Sequence, residues 1–154
     1  MPNDIVFTKI DSHSQDYAQN LARLNFFLKR HGQTKAAKGD LNFYLEKQQQ
    51  MIASARLIAT ENGYWLRGVY VDESLRHQGL GSQLIREIHA ALDTASCIYA
   101  FPLAHLEHFY QSLGYQTALI NTFPESLQVR FKSAQAQNKN WLSMVFKPSG
   151  YEAK

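Results

Sequence analysis

The chain has 154 residues, 45% of them hydrophobic and 19% charged, with a formal net charge of +3. That balance bounds the reading to one soluble globular domain, residues 1–154, with a sizeable core; the mild positive charge suits an anionic cofactor and, with no basic run, does not by itself argue for nucleic acid. No apolar run is long enough to span a membrane, Met1-Pro2-Asn3-Asp4 does not read as a secretory signal, and the single Cys97 excludes an intramolecular disulfide, so the expected setting is a reducing cytoplasm.

Ile5-Val6-Phe7-Thr8-Lys9-Ile10 is rich in strand formers and is expected to be an edge strand. Asp11-Ser12-His13-Ser14 offers helix caps. Tyr17, Leu21, Leu24 and Leu28 then recur at helical spacing, with Phe26 and Phe27 widening the face, until His31-Gly32 ends the helix. The stretch to Gly39 is basic and weakly structured. Residues 40–46 and 51–60 read as strands, and the short connection over 47–50 predicts an antiparallel hairpin. Glu61-Asn62-Gly63 is a second turn signal, leading into an aromatic and β-branched strand over 64–71.

After a polar turn at 72–75, the segment Arg76-His77-Gln78-Gly79-Leu80-Gly81 empties into a helix over 80–93, whose buried face is marked by Leu84, Ile85, Ile88 and Leu92. A helix N-terminus presents N–H groups without internal partners and the positive end of the dipole. Gly79 and Gly81 let an anion approach that backbone, and Arg76 adds charge, so the loop is a candidate phosphate cradle; a tight turn that binds nothing is the other reading. Two well-known phosphate loops are excluded. No Lys precedes Ser82, and the third position after Gly81 is Leu84 rather than glycine.

Residues 96–101 form another strand, and the strand–helix–strand order makes it parallel to 64–71. Pro102 ends it. A helix follows over 103–113, with Leu106, Phe109, Tyr110 and Leu113 on one face and Gly114 as its stop. Residues 115–120 and 141–147 are the sixth and seventh strands. Between them, Leu127, Val129 and Phe131 alternate like a strand, while Phe123, Leu127 and Phe131 stand four apart. Pro124, Glu125 and the Ala/Gln-rich tail favour a helix over 122–138, and 148–154 reads as a frayed tail.

Two segments resemble the GNAT superfamily of N-acetyltransferases. Arg76-x-x-Gly79-x-Gly81 is similar to the loop with which that family binds the pyrophosphate of acetyl-CoA. Phe109-Tyr110-Gln111-Ser112-Leu113-Gly114-Tyr115 is similar to the end of its helix after the fifth strand. The resemblance implies an α/β fold: a mixed sheet of about seven strands, largely antiparallel, with a central parallel pair that splays apart and helices on both faces. It implies that the backbone of Val69, Tyr70 and Val71 faces pantetheine and acetyl. Arg76, His77, Gln78, Gly79, Leu80, Gly81 and Ser82 would surround the pyrophosphate, and Tyr110 would be the catalytic acid that protonates the departing thiolate. Phe26, Phe27, His31 and the loop after them become candidate acceptor contacts.

The activity implied is direct acetyl transfer from acetyl-CoA to a primary amine of a small molecule or protein, by a monomer or homodimer, with no metal. A non-catalytic acetyl-CoA-binding regulatory or partner-binding module of the same fold is the alternative. The chain departs from the family in two places. Many members carry a glutamate base on the fourth strand, whereas Arg67 is the only charged side chain in 64–71; His105, Glu107 and His108 are the titratable groups near Tyr110. Pro102-Leu103-Ala104 also stands where an Asn that contacts the cofactor is frequent.

Overall fold

The computed structural model describes residues 4–92 and 96–148. They fall into two compact units, one of residues up to 58 together with 67–92, the other of residues 59–66 together with those from 93 onward.

In the first unit β1 (Ile5–Lys9), β2 (Leu41–Lys47) and β3 (Gln50–Ala59) are antiparallel neighbours, in register from Ile5↔Lys47 to Lys9↔Phe43 and from Leu41↔Leu57 to Lys47↔Gln50. The β2–β3 hairpin turns on Gln48 and Gln49, both left-handed at φ 51° and 66°. That is the two-residue geometry which matches strand twist and which Asn-Gly adopts more cheaply. Alternate side chains of β2 point to opposite faces, so the buried Phe43 and Leu45 share one face and the buried Tyr44 takes the other. α1 (Tyr17–Arg30) covers the Tyr44 face, clustering Leu21, Leu24, Phe27 and Leu28 with Ile10, Ala36 and Tyr70. α2 (Leu80–Ala91) packs against β1 and β2 with a different set, Leu84, Ile85 and Ile88, each at 1% exposure or less. Each such burial contributes roughly 1.5–3 kcal/mol, which is what fixes this apolar stripe as a helix.

β4 (Gly63–Val71) begins in the second unit, where it pairs in parallel with β5 (Cys97–Ala100) through Gly63↔Cys97, Tyr64↔Ile98 and Trp65↔Tyr99. A Cβ on Gly63 would collide with the Cys97 carbonyl oxygen, so only glycine allows that approach. The pairing stops at Trp65 although β4 runs on to Val71. β5 pairs on its other side with β7 (Met144–Phe146), which in turn pairs with β6 (Gln116–Thr117). The full order is β1-β2-β3-β4-β5-β7-β6, a seven-stranded mixed sheet with one parallel pair.

Four elements differ from expectation. The sixth strand spans two residues instead of 115–120, because after Ala118 donates to the Ser143 carbonyl (3.0 Å) the chain enters a 3-10 turn at Ile120–Thr122 and leaves Leu119 exposed. β7 starts at Met144 rather than 141, since Trp141 instead bridges Leu103, and the Leu142 N–H bonds the Pro102 carbonyl at 2.7 Å. The helix over 103–113 splits into a 3-10 turn, Ala104–Leu106, and α3 (Glu107–Ser112), broken where Leu106 sits at φ −100° and ψ 6°. α2 ends at Ala91, two residues early. The ambiguous segment is a helix, α4 (Glu125–Ala136): Leu127, Phe131 and Ala134 are buried while Val129 is 63% exposed, so the four-residue period wins over alternation. The tail expected from 148 lies, from 149 on, outside the described residues.

Candidate active site

At the end of β4 the Asp72 carboxylate accepts the Ser74 N–H at 3.0 Å and the Ser74 hydroxyl at 2.9 Å, closing a tight polar turn. Those two bonds hold its carboxyl below the usual carboxylate range. Arg76 folds back on the strand, donating from Nε to the Val71 carbonyl at 3.0 Å and stacking its guanidinium 5.2 Å from the Tyr70 ring centroid. The charge is thus positioned rather than free to sweep solvent.

His77 (φ 67°) and Gly79 (φ 80°) are both left-handed, and the residues from Arg76 to Gly79 are exposed. Gly79 is the N-cap of α2, and the Gln83 N–H makes the first bond back to its carbonyl at 3.0 Å. The N–H groups of Leu80, Gly81 and Ser82 therefore precede the intrahelical ladder. A Cβ on Gly79 would meet nothing within 4 Å; the glycine is needed for its dihedral, and the space above the helix start is open. Buried Leu80 anchors the turn from below. An anion reaching this loop meets outward N–H groups, the helix dipole and the tethered Arg76, which fits a pyrophosphate. Beside the loop Tyr70 is buried, while Val69 and Val71 are half-buried.

Phe26, Phe27 and His31 come together with Asp72 in one groove of about 580 Å³ within the first unit, lined also by Gln49 and Met51. The Tyr70 hydroxyl and His31 Nδ1 are hydrogen-bonded at 3.1 Å, and His31 Nε2 lies 3.9 Å from Asp72 Oδ2. Phe27 packs against the imidazole at 4.6 Å between centroids. Phe26 stays 65% exposed with the Arg30 guanidinium 5.9 Å from its ring.

Tyr110 belongs to the second unit, on α3. Gly114 follows at φ 97°, a dihedral that favours glycine, and a Cβ there would press on the Phe146 ring at 3.1 Å. The Tyr115 N–H returns to the Tyr110 carbonyl at 3.1 Å, and the two rings meet edge-on at 5.4 Å. This is the physical content of the Phe-Tyr-x-x-x-Gly-Tyr spacing. Burial pushes the Tyr110 phenol up to about 12. Of the titratable neighbours, His105 and His108 are exposed, and Glu107 accepts the Thr117 hydroxyl at 3.3 Å.

Reading the sequence missed the place of Asp72 in the groove. Asp72 was visible only as a turn residue; its place beside His31 depends on a contact across 41 positions (31 to 72). Among the described residues no group of three or more His, Cys, Asp or Glu is placed to hold a metal, and no helix is long and apolar enough to cross a membrane.

The model of the acetyltransferase (GNAT) domain matches residues 39–117, a little over half the chain. No curated protein sequence matches. Among solved structures, the chain is similar to N-acetylglutamate synthase from Neisseria gonorrhoeae complexed with coenzyme A and N-acetyl-glutamate, at 17% identity and a TM-score of 0.63; 96% of this chain is covered, but only 36% of that one. It is similar to the ribosomal-protein-S18-alanine N-acetyltransferase of Escherichia coli, at 17% identity over 97% of this chain and 99% of that one, with a TM-score of 0.64. It is likewise similar to Tetrahymena GCN5, at 10% identity, 97% and 99% coverage and a TM-score of 0.66. At such identities the structural likeness speaks for the fold, and the matched domain, which contains both the glycine loop and Tyr110, speaks for descent. The chain belongs to the GNAT acetyltransferase family.

Proposed function

We propose that this chain transfers the acetyl group of acetyl-CoA to a primary amine by direct attack, its two units acting as one N-acetyltransferase domain. The observation that carries the reading is the left-handed Gly79 at the head of α2, with open space above it and three outward N–H groups behind it. In this reading Arg76 to Ser82 hold the pyrophosphate. The backbone of Val69 to Val71, on the part of β4 beyond its pairing with β5, takes the pantetheine arm as an added strand. Phe26, Phe27 and His31 line the groove that receives the acceptor.

The phenol of Tyr110 is the group assigned to the departing sulfur, from its place in the motif. With a phenol pKa of about 12 against about 8.5 for an ordinary thiol, full proton transfer to the thiolate is uphill by roughly 5 kcal/mol. Tyr110 therefore acts by hydrogen-bonding the thiolate as its charge develops, and the proton arrives from solvent.

Calorimetric titration with acetyl-CoA, CoA, ATP and NAD in parallel tests the reading. Acetyl-CoA and CoA alone are expected to bind, and Gly79→Glu to abolish that binding by placing a carboxylate in the cradle. Absence of CoA binding refutes the assignment. Binding without amine-dependent thiol release across an amine panel would instead favour a non-catalytic acetyl-CoA-binding module.

A further inference from the structure

An alkylammonium cannot attack a thioester until it has lost a proton, and near neutral pH that calls for a proton acceptor beside the nitrogen. Among the residues lining the groove of Phe26 and Phe27, only His31 and Asp72 carry a group able to accept one. Asp72 is the poorer base, because the two bonds that its Oδ1 accepts from Ser74 hold its carboxyl below the usual range. That leaves His31.

His31 is the C-cap of α1, its N–H bonded back to the Phe27 and Leu28 carbonyls at 3.3 and 3.2 Å. Its ring is fixed on two sides, by the Tyr70 hydroxyl 3.1 Å from Nδ1 and by the Phe27 ring at 4.6 Å between centroids. Tyr70 is in turn held between Phe27, at 6.0 Å between centroids, and the Arg76 guanidinium, 5.2 Å from its own centroid. His31 Nε2 and Asp72 Oδ2 stand 3.9 Å apart, too far for a direct hydrogen bond, and both side chains keep some exposure. The gap suits a third atom: an amine nitrogen about 2.8 Å from both can donate to each. The other charges around the ring are Arg30, its neighbour on α1, which lies over Phe26; Arg76, over Tyr70; and Arg23, which Glu46 of β2 pairs at 3.0 Å. Against the Arg30 charge stand the Asp72 carboxylate and the negative end of the α1 dipole, the counter-charges that an imidazolium formed in turnover meets.

We infer that His31 is the general base of the reaction: its neutral ring donates Nδ1–H to the Tyr70 oxygen, and the bare Nε2 takes a proton from an ammonium held by Asp72. The N–H bond breaks with its electron pair left on nitrogen, Nε2–H forms, and the freed pair attacks the thioester carbonyl carbon. As the C–S bond breaks, sulfur leaves with its electron pair and takes a proton from solvent. The attacking nitrogen releases its second proton to water, and His31 returns its own there. Tyr70, on the stretch of β4 assigned to pantetheine and acetyl, is the positioning residue. The base role rests on the acetyl-transfer reading; the tautomer of the ring does not.

Two measurements on the full chain test the proposal. The first follows the histidine ring nitrogens by NMR at a pH where the rings are neutral, His31 being assigned from His31→Asn. A protonated Nδ1 and a bare Nε2 are expected, and a protonated Nε2 overturns the proposal. The second is thiol release from acetyl-CoA against pH, with phenylethylamine, spermidine, lysine and alanine amide as acceptors. His31→Asn keeps an amide near the Nδ1 position for Tyr70 and removes Nε2. It is expected to lower kcat by roughly 100-fold near neutral pH at unchanged acetyl-CoA affinity. That deficit shrinks by about tenfold per pH unit toward the pKa of the amine itself, roughly 10, as free amine forms unaided. A packing role would lose the same factor at every pH. Should His31→Asn fail to fold, Asp72→Asn serves, with an expected fall in kcat of roughly 10-fold and an unchanged kcat counting against the proposal.

If an amine is acetylated but His31→Asn keeps its kcat, or its deficit is flat with pH, the inference is wrong and the acetyl-transfer reading survives. If acetyl-CoA does not bind, or binds and no amine of the panel releases thiol, the base role falls together with that reading.

Discussion

Tyr110→Phe should protect the protein against alkaline unfolding and make the enzyme slower. The Tyr110 side chain is buried, with 8% of the residue exposed. Burial also raises the phenol from 10 to about 12. The folded state therefore favours the protonated form: its contribution is intact below pH 10 and is lost as pH rises through 12. Two pKa units correspond to about 3 kcal/mol, which Tyr110→Phe removes from the alkaline loss while the same trend from Tyr115 remains.

In turnover the phenol meets a developing thiolate, and losing a hydrogen bond to a charged group costs about 1.5–3 kcal/mol, a fall in kcat of roughly 10- to 100-fold at unchanged acetyl-CoA affinity. Thermal melts from pH 7 upward and thiol-release kinetics on the same preparations check both halves. A lower Tm with unchanged kcat would show Tyr110 to be a packing residue and refute the argument.

Other expectations come from backbone strain and from burial. Replacing Gln48-Gln49 by Asn-Gly should relieve two left-handed non-glycine residues at the β2–β3 hairpin; with about 1–2 kcal/mol per strained residue, a Tm gain of several degrees is expected, and no gain would mean the turn is unstrained. His89, part-buried on α2, is pushed down to about 4, first by desolvation and then by Arg86. Its neutral form is the folded one, so the contribution is full above pH 6.5 and lost as pH falls through 4. His89→Gln should flatten Tm across that window, and an unaltered acid limb would remove His89 from the account.

The element order was legible because periodicity is local. Leu84, Ile85 and Ile88 announce a helix by their spacing, and Leu127, Phe131 and the Ala/Gln tail announce α4 against the competing alternation of Val129. Short elements were less legible: β6 and β7 shrink because Trp141 and Leu142 bond to Leu103 and Pro102, partners that no window of sequence contains.

The candidate site divides along the same line. The sequence by itself determined the left-handed glycine at the head of α2 and the glycine stop after Tyr110, since each is a dihedral demand met by one residue type. Tertiary structure alone decided what depends on distance and burial. It joins Tyr70 to His31, sets the Glu61 carboxylate on the Ser126 N–H and hydroxyl at the start of α4, and brings Arg56 Nε within 3.8 Å of Asp40 Oδ2. It also raises the Tyr110 phenol by enclosing it. A side chain's type is written in the sequence; its solvent and its partners are set only when distant segments close around it.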